Sequence, residues 1–253
     1  MNVDHLKPTD AIAGYVERIL VIDDAKIFVP FALPLFANGT PTLLFISAKG
    51  TIKGDETSHL LLFGQTILPE FLTFRNDFTL IAYFLKPFAL MTLFGVAAYE
   101  LTDQIIDLNL LSPQQATELQ ERLLNAESVA NRLALMDAYI NKLITNQKNH
   151  IGIIGYATQK IITSPGKEVL LQLQRELNVT ERTFQRTFEK NVGIAPNMYR
   201  RICQFNSAFQ KLNNSRNSKL TDIAFEFGYA DQSHYIRAFK EFTNLTPKQY
   251  LNY

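Results

Sequence analysis

Residues 228–240 read Gly228-Tyr229-Ala230-Asp231-Gln232-Ser233-His234-Tyr235-Ile236-Arg237-Ala238-Phe239-Lys240, and Asn244-Leu245-Thr246-Pro247 and Tyr250 follow. An earlier stretch, Asn178-Val179-Thr180-Glu181-Arg182-Thr183-Phe184-Gln185-Arg186-Thr187-Phe188, is followed by Gly193-Ile194-Ala195-Pro196 and Tyr199. Phe184 and Tyr235, Arg186 and Arg237, Phe188 and Phe239, Pro196 and Pro247, and Tyr199 and Tyr250 each stand 51 positions apart, and the turn before the first copy is one residue shorter. The two stretches are copies of one unit: a helix, a tight turn at Asn178 or Gly228, an N-cap at Thr180 or Asp231, and a second helix. That order is the helix-turn-helix pattern.

The second helix of each copy has two faces. At about 100° per residue, Phe184, Phe188 and Val192 share one side, opposite Arg182, Arg186 and Glu189. In the other copy Tyr235, Phe239 and Phe242 oppose Ser233, Arg237 and Lys240. A helix anchored by aromatics on one side and basic on the other fits the DNA major groove. Arginine there bridges O6 and N7 of guanine, glutamine pairs with adenine, and lysine and serine hold phosphates. A lone basic helix is better explained by solvation of an exposed face, but an arginine kept at the same place in both copies reverses that preference in favour of the groove.

Residues 168–250 resemble the two-motif DNA-binding domain of AraC-type (AraC/XylS) transcription regulators. The stretch from Gly228 to Lys240, with Thr246-Pro247 after it, is a specific match to the second motif. The resemblance implies a seven-helix domain whose two recognition helices enter successive major-groove segments on one face of DNA, joined by a long helix over residues 196–212. It places Arg182, Gln185 and Arg186 of the first helix, and Gln232, Ser233 and Arg237 of the second, where family members contact bases or backbone. Lys240 joins them as a phosphate-holding residue, and His234 at the flank reads as a surface or phosphate-contacting residue rather than a catalyst. One departure stands in the first motif: where the family carries a small residue four positions before the turn, this chain has Gln174, whereas the second motif has Ala224. Gln174 is expected to loosen the first helix pair.

The charge distribution agrees with this division. Residues 1–150 hold 11 Lys+Arg and 16 Asp+Glu, net −5, and residues 151–253 hold 14 and 8, net +6, within an overall +1. A basic module after an acidic one is expected if only the second meets a polyanion. The joint is read at Asn146-Gln147-Lys148-Asn149, giving a sensor or dimerisation domain over 1–148 and a DNA-binding domain over 149–253.

The first half is rich in β-branched and aromatic runs. Residues 40–47, 59–63, 71–74 and 78–85 read as short strands, separated by turns at Ala37-Asn38-Gly39, at Lys49-Gly50 with Lys53-Gly54, and at Arg75-Asn76-Asp77. The expected fold is α+β: a small antiparallel β barrel or sandwich, cupin-like, over 1–87, then helices over 88–145, then the all-α domain. A helical piece is expected over 88–99, a helix from Ser112-Pro113 with Leu119, Leu123 and Leu124 on one stripe, and another from Ser128 burying Val129, Leu133, Met136, Ile140 and Leu143. This half is similar to the β-rich domain that precedes the DNA-binding module in a group of bacterial regulators. That similarity rests on Lys7-Pro8, Tyr15-Val16, Phe28-Val29-Pro30, Gly64-Gln65, Leu85-Lys86-Pro87-Phe88-Ala89 and Leu101-Thr102-Asp103. In the wider family such domains bind an effector, dimerise, or both. Phe31, Phe36, Phe45, Phe63, Phe71, Phe74, Phe78 and Phe84 either line an apolar ligand cavity or fill the barrel core.

Other classes are disfavoured. Residues 79–99 are long enough to span a bilayer, but Lys86-Pro87 near the middle argues for a buried core instead. No basic start with an apolar core suggests a signal peptide, and a single cysteine, Cys203, offers no disulfide framework. A cytoplasmic location is expected. His5, His59 and His150 are scattered, so no metal is expected, and no GxSxG, P-loop, GxGxxG or HExxH motif marks an enzyme or a cofactor site. Cys203, between Ile202 and Phe205, reads as a buried structural thiol. The expected partners are double-stranded promoter DNA, RNA polymerase, a small-molecule effector and a second copy of the chain, without a membrane. An effector-free protein-interaction module localised on DNA is the alternative.

Overall fold

Strand-forming residues dominate the first half and helix formers the second, and the computed structural model, which describes residues 1–146, 152–215 and 218–252, follows that division. Ten strands come first: β1 (Asn2–Leu6), β2 (Val16–Ala25), β3 (Phe31–Leu35), β4 (Thr42–Ile46), β5 (Thr51–Ile52), β6 (Asp55–Glu56), β7 (Leu60–Phe63), β8 (Glu70–Phe74), β9 (Phe78–Leu85) and β10 (Ile105–Asp107). They form two antiparallel sheets, ordered β1-β2-β9-β4-β7-β10 and β3-β8-β5-β6. The larger sheet is covered on both faces. Leu44, Leu61, Leu80 and Ala82 point toward the smaller sheet, while Phe45, Leu62, Ile81 and Tyr83 join the core beneath the helices. That double burial is why β4, β7 and β9 are unbroken apolar runs rather than alternating ones.

The four expected strands are present, and β9 matches its predicted span to the residue. The others escaped the sequence pattern for identifiable reasons. β1 is an edge strand exposed along its whole length, β3 carries Pro34, tolerated because β3 is itself an edge, and β2 carries Glu17, Arg18 and Asp23 among its aliphatics. The helix expected over 88–99 is replaced by two short turns. A π-type turn at Leu90–Phe94 stops at Gly95, whose φ of 68° is left-handed, and a 3₁₀ turn at Ala98–Leu101 follows. β10 then interrupts the stretch that was expected to be helical from 88 to 145.

Ten helices follow among the described residues: α1 (Leu108–Leu111), α2 (Pro113–Asn125), α3 (Val129–Thr145), α4 (Ile153–Thr163), α5 (Val169–Glu176), α6 (Glu181–Val192), α7 (Pro196–Asn214), α8 (Leu220–Glu226), α9 (Gln232–Thr243) and α10 (Pro247–Leu251). Ser112 and Ser128 stand at the N-caps of α2 and α3. Only Ser128 accepts a capping bond, from the Asn131 N–H. Leu119 and Leu123 are buried as expected, whereas Leu124 lies on the solvent side of the α2 stripe. The expected joint at 146–149 falls, from Gln147 on, outside the described residues, as does His150. The apolar run 79–99 forms β9 and the two turns, and among the described residues no helix is long and apolar enough to cross a membrane.

One core runs from the sheets into the helical half. Leu93, Ala98 and Leu101 of the two turns belong to the same buried cluster as Phe184, Phe188, Val192 and Ile194 around α6. Gly193 seals the contact. Its φ of 100° ends α6, its carbonyl accepts the Thr102 hydroxyl at 2.7 Å, and a Cβ there would lie 2.9 Å from the Ala98 carbonyl oxygen.

Candidate nucleic-acid interface and the cavity behind it

The two copies of the repeat superimpose in their local chemistry. Asn178 (φ 51°) and Gly228 (φ 74°) make the left-handed turns, and Thr180 and Asp231 cap α6 and α9 by accepting the Thr183 and His234 N–H groups. At the far ends Gly193 and Asn244, again 51 apart, are both left-handed, and Pro196 and Pro247 open the next helices. Inside, Phe188 meets Tyr199 at 5.5 Å between ring centroids and Phe239 meets Tyr250 at 5.7 Å. α7 holds both recognition helices: Tyr199 packs on α6, and Phe205 and Phe209 lie 5.6 and 5.7 Å from Phe239 of α9. Its 19 residues make a strut about 28 Å long.

Anchoring of the aromatic faces turns the basic faces outward. Arg182, Arg186, Arg237 and Lys240 are exposed and have no hydrogen bond or ion pair among the described residues. Ser233 is exposed as well. The two glutamines are partly engaged: the Gln185 amide donates to Glu189 at 3.0 Å, and the Gln232 carbonyl oxygen accepts the Thr221 hydroxyl at 2.9 Å. His234 is half-buried, with Nδ1 accepting the Ala230 N–H and its ring edge-on to Tyr229 at 5.2 Å, so it braces the turn. Lys190, exposed and four residues after Arg186, extends the α6 basic stripe. The repeat concealed it, because its counterpart Glu241 carries the opposite charge and binds Arg201 at 2.5 Å.

The first helix pair is looser than the second. α8 and α9 run closer together than α5 and α6, and Ala224 of α8 is fully buried whereas Gln174 of α5 is only half-buried. Arg200 is structural. Its guanidinium donates to the Pro165 carbonyl and to Gln204, and burial lowers its pKa. Cys203 is buried on α7, and desolvation pushes its thiol pKa up to about 12.

Beside α7 lies a partly open cavity of about 720 Å³, lined by residues of both sheets and of that helix. Leu20, Leu44, Leu80 and Ala82 line it from the large sheet, and Asn206, Phe209 and Gln210 from α7. Of the phenylalanines read as cavity or core, Phe36, Phe63 and Phe84 line this space, while Phe31, Phe74 and Phe78 stack on one another between the sheets. Arg18 stands in the cavity wall with its guanidinium 3.5 Å over the Phe84 ring. It had no signal in the sequence, because nothing there showed that β2 passes the barrel mouth.

Residues 173–253 match the model of a helix-turn-helix domain, and residues 4–107 match that of a domain of unknown function (DUF6597). An uncharacterized HTH-type transcriptional regulator of Haemophilus influenzae is 32% identical over 79 residues, which are 31% of this chain and 26% of that protein. The chain therefore spans about a quarter of that relative. Among solved structures, ToxT from Vibrio cholerae aligns over 92% of this chain and 96% of its own at a TM-score of 0.52 and 11% identity. An apo form of a ToxT variant aligns over 92% and 97% at 0.50 and 13%. These likenesses are of fold, and they cover sheets and helices together. Residues 173–253, with the repeat intact, are thus similar to a helix-turn-helix domain, and the chain as a whole shares the fold of ToxT.

Proposed function

We propose that the chain is a sequence-specific DNA-binding transcription regulator, with residues 149–253 docking α6 and α9 in successive major-groove segments. The observation that carries this is the pair of equivalent arginines, Arg186 and Arg237, exposed and unpaired among the described residues, on two repeated helices that one strut holds. Arg182, Gln185, Gln232, Ser233 and Lys240 complete the contact surface, and His234 supports it from the turn. Arginine reads guanine, the two glutamine amides exchange their present partners for base edges, and Lys240 and Ser233 hold phosphates.

Residues 1–148 are assigned the sensing and dimerising role. The cavity behind α7 supports an effector over an effector-free interaction module, since an occupant there touches the helix that sets the geometry of both recognition helices. Promoter DNA, RNA polymerase and a second copy of the chain are the macromolecular partners of such a regulator, which works on the chromosome in the cytoplasm. The test is binding of the full chain to the DNA upstream of its own gene and to a scrambled duplex, at two salt concentrations. Preference for the native duplex that persists at the higher salt is the expected result. Equal binding that salt erases refutes sequence reading, because phosphate contacts alone are lost as counterions compete.

A further inference from the structure

We infer that Arg200 and Gln204 of α7 form a hydrogen-bonded brace that fixes the distance and rotation between α6 and α9, and so act as positioning residues that set the operator spacing the chain accepts. This rests on the reading of α6 and α9 as a pair of DNA-reading helices and adds what holds that pair in register.

α7 is joined to both motifs by aromatic packing, and packing of that kind is non-directional: it holds surfaces together without pinning their rotation. Direction comes from two polar side chains one turn apart on α7, both buried. Arg200, only 7% exposed, donates from Nε to Asn197 Oδ1 at 3.1 Å, and from one terminal nitrogen to the Pro165 carbonyl at 2.9 Å and to Gln204 Oε1 at 3.1 Å. Gln204 carries the chain onward, its Nε2 donating to the Phe227 carbonyl at 2.7 Å. The amide cannot turn round, because a guanidinium only donates and a carbonyl only accepts. Pro165 lies in the connection that leads into α5, and Phe227 closes α8 just before the left-handed Gly228 turn that leads into α9. A continuous line of bonds thus crosses α7 from the entrance of the first motif to the turn of the second. Gln204 also stands against that turn: a Cβ on Gly228 would lie 3.6 Å from its Nε2.

Packing a helix-turn-helix unit on the helix that follows it does not require such a residue. By the 51-residue repeat the counterpart of Arg200 is Leu251, which packs against the same core. Apolar side chains of similar volume serve burial as well as a buried ion does or better, so what the guanidinium and the amide add is direction. Successive major-groove segments lie one helical turn apart, about 34 Å, and one inserted base pair moves a segment by about 3.4 Å and turns it by about 34°. A rigid pair of helices reaches both segments at one spacing only. A loosened pair follows the shifted segment and loses effective concentration at the right one.

The test begins by selecting, from a pool of randomised duplexes, the operator that the full wild-type chain enriches. Fluorescence anisotropy at one salt concentration then measures binding to that operator and to versions with one base pair added or removed between the two segments. Gln204→Met keeps the volume and removes both bonds, and Arg200→Lys keeps the charge and loses the fork; each is first checked for a wild-type circular dichroism spectrum, and either alone decides the question. Changing the spacing is expected to weaken the wild type about tenfold or more. Gln204→Met is expected to bind the enriched operator about three- to tenfold less tightly and to show a spacing penalty of about threefold or less, with Arg200→Lys between the two. A base change within one segment is expected to cost variant and wild type the same factor, which separates loosened geometry from lost base reading. Variants that bind every duplex more weakly by one common factor, or a wild type indifferent to spacing, overturn the brace and leave the DNA-reading assignment standing. A pool from which the wild type enriches no sequence refutes that assignment, and the brace falls with it.

Discussion

Gly193→Ala measures how firmly the first recognition helix is fastened to the sheet half. At φ 100° an alanine is strained by about 1–2 kcal/mol. Its Cβ would also lie 2.9 Å from the Ala98 carbonyl oxygen and 2.9 Å from the Thr102 hydroxyl oxygen, and the first of these is backbone that cannot swing away. Relief requires α6 to back off, which breaks the 2.7 Å bond from Thr102 to the Gly193 carbonyl, worth a further 0.5–1.5 kcal/mol or so. The expected cost is about 1.5–3.5 kcal/mol. Asn244→Ala supplies the comparison, because Asn244 is the equivalent cap on α9, left-handed at φ 60°. Its cost is expected near 1 kcal/mol, the backbone part alone. Urea unfolding of the full chain gives both values from the midpoints and slopes. If Gly193→Ala costs no more than Asn244→Ala, the contact between α6 and the turn at Ala98–Leu101 contributes nothing, and the shared core does not couple the halves.

Three further outcomes are expected. Arg186→Ala and Arg237→Ala each cost about 1–3 kcal/mol on the cognate operator and relax discrimination at one base pair; unchanged affinity by fluorescence anisotropy removes the base-reading role. Lys240→Ala weakens all duplexes alike and lowers the slope of log K against log salt by about 1, and loss on one sequence only would contradict a phosphate contact. Cys203 stays protonated and buried through neutral pH, since its pKa is raised to about 12, so a disulfide exchange reagent at pH 8 labels it only after denaturation. Prompt labelling of the native chain would show that α7 opens at the cavity.

The helical half was legible because its signals are local and doubled. Caps at Thr180 and Asp231, turn residues at Asn178 and Gly228, and aromatic spacing within each recognition helix all act within a few residues, and the second copy confirmed the first. The sheet half was legible only where strands are covered on both faces. β9 was read to the residue, while β1, β3 and β10 lie at sheet edges where burial leaves little pattern. Residues 88–99 misled for the opposite reason: Leu90, Leu93, Ala98 and Leu101 are buried, but the left-handed Gly95 splits them between two turns, so one helical period does not fit.

The amino-acid sequence by itself determined the repeated helix-turn-helix units, their outward basic faces and the antiparallel core of the first half, because capping, periodicity and turn chemistry are properties of neighbouring residues. Tertiary structure alone decided that α6 docks on the turn at Ala98–Leu101, that Glu241 takes Arg201 while Lys190 stays exposed, and that Arg18 reaches a cavity walled in part by α7. Each of these joins residues 40 to nearly 190 positions apart, and no local rule specifies a meeting that only chain closure and burial can bring about.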